Sequence, residues 1–247
     1  MPALTTAQRI RATVGVVVIF GTWFYLAFTR PTDWESVGGS SPALITLGGY
    51  VLGAILLLSA SLPILPARTI AIIPAALVLN IVIGQIVGSV GIPLYLDSVG
   101  TILVAGLAGP IAGLATGTLS SIVWGLFNPA ALPFAAVSAM VGLLSGVMIA
   151  KGMLRNIPLT ITAGVVLGVI SGMLAAPVAA FVYGGTAGVG TGALVSLFRE
   201  MGNSLIGSVT AQSLVSDPLD KALVMIIVHV AIRSLPKKTL ASFHART

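Results

Sequence analysis

Residues 14–28 read VGVVVIFGTWFYLAF, a run with no charge and no alternation of polar and apolar side chains. A strand in a membrane barrel alternates in and out over about ten residues, and this run does not. A helix closes all of its backbone hydrogen bonds within itself, which the lipid interior requires. About 20 apolar residues carry a helix across the hydrocarbon, so the run reads as a transmembrane helix over residues 12–29. Working outward, Pro, Gly and charge divide the rest into apolar segments near 43–62, 68–90, 97–109, 111–127, 133–150, 157–183 and 219–235. The segments at 97–109 and 111–127 meet at Gly109-Pro110, which predicts a tight helical hairpin. Between Arg68 and Lys151 the only charged residue is Asp97.

Composition agrees. The 247 residues are 57% hydrophobic and 7% charged, with mean hydropathy +1.10; soluble domains carry roughly a quarter charged residues. The expected fold is an all-α, polytopic integral membrane protein, and its first solvent partner is the lipid bilayer. Cysteine is absent, which excludes disulfides, thiol catalysis and cysteine metal sites. The net charge of +6 does not point to nucleic acid, because the basic residues stand at the ends of spans, where orientation and anionic headgroups account for them. The N-terminal run resembles a signal peptide, but Arg30-Pro31-Thr32-Asp33-Trp34-Glu35 offers no small-residue cleavage site, so it is expected to stay as a first span.

Eight crossings from a cytoplasmic N-terminus would put Arg9, Arg11, Arg68, Lys151, Arg155, Arg233, Lys237 and Lys238 inside the cell. The same threading puts Asp33, Glu35, Asp97, Glu200, Asp217 and Asp220 outside or at the outer rim, with Arg30, Arg199 and Lys221 the basic residues beside them. The positive-inside rule thus predicts both termini in the cytoplasm. The stretch 184–218 fits no simple span; its mixture of apolar residues with Arg199, Glu200, Asn203, Gln212 and Asp217 suits an amphipathic outer segment or re-entrant cap, or a plain loop. Small residues (Gly106, Gly109, Gly113, Gly117 and the alanines among them) suit close helix packing in lipid. Ala67, Ala71 and Ala75 form a further small stripe where a partner helix could dock.

Chemical machinery is sparse. There is no P-loop, no serine in a GxSxG setting, and His229 and His244 are too far apart for a metal cluster. His229 reads best as a hydrogen-bonded interface residue. No cofactor and no enzymatic activity are expected. What remains is a polar and aromatic set near the outer helix ends: Tyr95, Asp97 and Ser98; Trp124, Phe127 and Asn128; and Arg199, Glu200 and Asn203. Of these, Tyr95, Asp97, Trp124, Asn128, Arg199 and Asn203 are the candidate substrate-binding residues, since a small-nutrient site joins an aromatic lining to a few fixed polar groups. Tyr95 and Trp124 equally suit an interfacial aromatic belt, and Asp97 suits an N-cap of the next helix.

The stretch IPLYLDSVGTILVAGLAGPIAG (residues 92–113) resembles the second-helix region of S components, the substrate-binding membrane subunits of the energy-coupling factor (ECF) vitamin transporters of prokaryotes. Asp220-Lys-Ala-Leu223 and, after an apolar run, Leu235-Pro-Lys-Lys238 resemble their last helix. The likeness covers residues 67–240. It implies a six-helix core over 67–247, here preceded by two extra helices within 1–66, a departure from the family pattern. It further implies a vitamin-like small-molecule substrate held at the outer face by loops near 91–97, 128–133 and 184–218. The partners implied are a transmembrane coupling subunit, docked through small residues such as Ala67, Ala71 and Ala75, and two cytoplasmic ATPases that drive toppling and release. A membrane-embedded sensor and a self-sufficient secondary carrier are the alternatives; the former would be expected to carry a signalling domain, and none is visible before Thr247. Pro74 within the alanine stripe is expected to kink its helix or perturb its packing.

Overall fold

The computed structural model describes residues 4–30, 40–185 and 188–243. Asp33, Glu35 and His244 lie outside these residues, as do the expectations that rest on them. The described residues form helices α1 (Thr6–Thr29), α2 (Ser41–Ser61), α3 (Ala67–Ser89), α4 (Val99–Ala108), α5 (Pro110–Gly125), α6 (Ala135–Ala150), α7 (Ile157–Tyr183), α8 (Val189–Glu200), α9 (Leu205–Ser234) and α10 (Lys237–Ser242). A 3-10 turn, Pro129–Phe134, leads into α6. No strand occurs among the described residues. Five stretches, Thr6–Thr29, Ser41–Ile64, Ala67–Ser89, Pro129–Ala150 and Ile157–Tyr183, are long and apolar enough to cross a membrane. The chain is therefore a multi-pass membrane protein.

Local chemistry sets the ends. Thr5 and Gln8 form a reciprocal capping box on α1, and Asn156 caps α7 by accepting from Leu159 N–H; each satisfies a donor that a helix start leaves open. Three helices run through an internal proline: Pro74 in α3, Pro177 in α7 and Pro218 in α9. The last corrects the sequence reading, which began this span at residue 219. The helix begins at Leu205, so the polar residues of 205–218 belong to a long helix rather than to an outer segment. The amphipathic element expected in 184–218 is confined to α8.

The bundle has two unlike ends. At the lower end, where α1 begins and α9 finishes, Arg11 donates to the Ser59 carbonyl and Arg233 to that of Arg155. At the upper end lie α8, the C-terminal end of α7 and the N-terminal half of α9. The segment after α3 does not stay at the upper surface. Asp97 packs on Gly84 and Gly100 packs on the backbone of Ala76, near the middle of α3. Residues 92–98 thus re-enter the bundle as irregular chain, and α4 starts at mid-depth. This explains its 10 residues, about 15 Å at 1.5 Å per residue.

At Gly109 the backbone takes φ +89°, a conformation open to glycine and strained for other residues. It turns α4 back into α5, so that Gly113 lies against Ala105 and the expected hairpin forms. Gly117 and Gly142 let α5 and α6 cross backbone to backbone, Gly142 lying on Gly113 and Gly117 on Ser138. On the other side Gly164, Gly168 and Gly172, spaced by four, admit α9 against α7. The leading pair α1–α2 packs outside this core on α5, α6 and α7. Two polar ties fix it: Trp23 Nε1 donates to the Leu174 carbonyl at 3.1 Å and the Tyr50 hydroxyl to that of Pro133 at 3.2 Å.

Candidate functional site

The re-entrant segment forms one wall of a cavity of about 410 Å³ in the upper half of the core. A space of this size, lined by aromatic rings and a few convergent polar groups, is of the kind that takes a small molecule. Trp124 from α5, Tyr95 from the re-entrant segment, and Phe134 and Tyr183 supply the aromatic surface. The last two rings stack, with centroids 5.9 Å apart and planes 14° from parallel. Ser98, Ser120, Ser121, Ser138 and Ser213 supply hydroxyls, of which Ser121 and Ser138 are already joined at 2.8 Å across the α5–α6 crossing.

The cavity wall is held from behind by Asn80, which is fully buried in α3. Its carbonyl accepts the Gly100 N–H at 2.7 Å, and its amide donates to Thr101 Oγ1 at 2.8 Å and Ser120 Oγ at 3.1 Å. Three elements are thus locked at one depth by one side chain. The N-cap of α4 is Ser98, with no side-chain capping bond. This corrects the capping expectation for Asp97, because Asn80 takes over that task and leaves the Asp97 carboxylate for another partner.

That partner is on α9. Lys221 Nζ lies 3.3 Å from Asp97 Oδ1 and 2.6 Å from Asp220 Oδ2. Asp220 also accepts the backbone N–H groups of Tyr95 and Leu96 at 2.8 and 2.7 Å. Leu96 has φ +50°, a left-handed conformation that a branched side chain adopts only under outside constraint. The Asp220 carboxylate supplies that constraint by gripping two successive amides. One turn up α9, Asp217 is 5% exposed and its Oδ2 has no hydrogen-bond partner. Ser213, Asp217 and Lys221, each four residues from the next, present one face of α9 to the cavity.

Of the six residues selected from sequence, Tyr95, Asp97, Trp124 and Asn128 are brought together on the cavity wall. Arg199 and Asn203 are not: both are exposed at the end of α8, where Asn203 donates to the Phe198 carbonyl. Asp217, Lys221, Ser213, Gln85 and the serines of α5 and α6 line the cavity and were not selected. The four-residue spacing of Ser213, Asp217 and Lys221 in a largely apolar stretch was the available signal. His229 meets Thr160 Oγ1 at 3.0 Å in the α7–α9 interface, away from the cavity lining. Ala67, Ala71 and Ala75 lie exposed on the free face of α3. Comparison of the chain with protein-family models, with curated protein sequences and with solved structures gave no match.

Proposed function

We propose that this chain is the substrate-capturing membrane subunit of an ECF-type importer. It takes a vitamin or similar micronutrient from the outer face and releases it inside by toppling on a coupling subunit powered by separate ATPases. The observation that carries this reading is the placement of the cavity. It lies in the upper half of a membrane bundle, while the same helices pack tightly at Gly113, Gly142 and Gly164 beneath it. A binding site in one half of the bundle, above helices that pack closely, suits a subunit that captures a ligand and needs a partner to deliver it. Orientation follows from charge. Arg9, Arg11, Arg68, Lys151, Arg155 and Arg233 gather at the lower end and Asp97, Asp217 and Asp220 in the upper half, so the lower end faces the cytoplasm of the cell membrane. The coupling subunit would meet α3 along Ala67, Ala71 and Ala75, whose small side chains allow close backbone approach.

Native mass spectrometry of the full chain purified from vitamin-replete cells tests the capture reading. A bound small molecule, lost when Trp124 is changed to Ala, is the expected result. An empty protein whose thermal stability no vitamin changes would overturn it. One observation favours a second reading: Asp97, Asp217, Asp220 and Lys221 lie deep in the bundle, and coupled secondary carriers keep ionisable groups there. Uptake into proteoliposomes holding this chain alone, driven by a proton or sodium gradient, would favour that carrier over the importer subunit.

A further inference from the structure

The charged groups lining the cavity do not cancel. Asp97 and Asp217 stand there with Lys221, and Asp220 sits directly behind. The other lining elements bring no charge: α3 offers Gln85 and Ser89, the α5 end and the following turn offer Asn128, and α6, α7 and α8 offer hydroxyl and apolar groups. Three carboxylates therefore face one ammonium.

The ammonium is already committed. Lys221 is 5% exposed and held by Asp220 at 2.6 Å and Asp97 at 3.3 Å. An anionic ligand would have to break that bridge. Asp220 is spent as well, on Lys221 and on two backbone amides. What remains uncommitted is the Asp97 side chain, 31% exposed, and the Oδ2 of Asp217, buried in the cavity wall without a hydrogen-bond partner. A buried carboxylate oxygen without a donor is costly unless a ligand, ion or proton meets it. Around these oxygens stand Trp124 and Tyr95, whose ring faces attract cations.

Resting on the capture reading above, we propose that the ligand of this cavity is cationic: a small, flat molecule with a protonated or quaternary nitrogen, its charge answered by Asp217 and Asp97 and its ring lying against Trp124. Anionic vitamins are disfavoured, because Lys221 has no charge to spare. Neutral ones would leave the Asp217 oxygen to a proton or an ion in place of the ligand.

The test uses the full chain in detergent. The molecule released by heating the purified protein is run by capillary electrophoresis at neutral pH, and its occupancy is measured in wild type and in Asp217→Asn. The expected result is a cation whose affinity falls roughly ten- to a hundred-fold in Asp217→Asn, the range of one lost charge-assisted hydrogen bond. Asp97→Asn provides the same reading if Asp217→Asn lowers the melting temperature. A released molecule that is neutral or anionic would overturn the cationic assignment and leave the capture reading standing. So would a cation held equally well by both variants. If nothing is released, 1-methylnicotinamide, nicotinamide and nicotinate serve as a cation, neutral and anion of one ring. A thermal shift confined to the first supports the assignment; a shift with either of the others overturns it. No shift with any of the three overturns the cationic assignment, and capture itself falls only if no vitamin shifts the empty protein.

Discussion

The lower and upper halves of the core are built from the same helices by opposite means. In α7 one face reads Gly164 and Gly168 in the first half and Ala175, Ala179 and Tyr183 above. In α5 the corresponding face reads Gly113 and Gly117, then Ser120, Ser121 and Trp124. Below, the absent side chains bring backbones into contact. Above, larger and polar side chains hold the helices apart around a space. A helix face that changes from glycine to serine and aromatic residues along its length thus sets where a bundle is solid and where it is hollow. Hydrophobic periodicity does not distinguish the two, since both halves are buried.

The strongest way to break this contrast is in the hollow half, which depends on polar ties. Asp220→Ala removes the oxygen that accepts two backbone amides and leaves Lys221 without its nearest partner. A loss of about 3–5 kcal/mol is expected, the range for breaking a buried ion pair from one side, read as a fall in melting temperature in detergent. Asp220→Asn should restore part of it, as its amide oxygen still accepts. The solid half should respond next. In Gly142→Leu the new side chain meets the Gly113 backbone, and overpacking of about 3 kcal/mol should appear as lowered stability and a broadened size-exclusion peak.

A third change sharpens the distinction by separating function from stability. Trp124 is half-buried on the cavity wall, so Trp124→Ala should weaken ligand binding about tenfold while the melting temperature of the empty protein changes little. The smallest effect lies outside both halves. Tyr50→Phe removes one hydrogen bond from α2 to Pro133, for which a loss of about 1 kcal/mol is expected by thermal unfolding with binding unchanged.

Much of the fold was legible because lipid makes the rules strict: long uncharged runs such as 14–28 and 69–90 have one stable form there. The Gly109-Pro110 turn was legible for the same local reason. What hydropathy hid was the upper half of α9. Pro218 with Asp217, Asp220 and Lys221 reads as the edge of the membrane when taken alone, because isolated charges are expelled from it. Of the two carboxylates that let Lys221 stay, Asp97 is 124 residues away in sequence, beyond the reach of any local pattern. Tyr95, Asp97, Trp124 and Asn128 were readable as polar or aromatic interruptions at helix ends. Arg199 and Asn203 carried the same local signature but owe their polarity to exposure.

The grip of Asp220 on the amides of Tyr95 and Leu96 inverts the usual relation between regular structure and protection. Loops ordinarily trade their amide hydrogens with solvent fastest, since opening them disturbs little. Here two amides in an irregular segment can exchange only after a buried ion pair comes apart. In deuterated buffer the Tyr95 and Leu96 amides should keep their protons long after the exposed turns at Gly152 and Gly202 have lost theirs. The timing of their exchange would measure how often the ion pair opens.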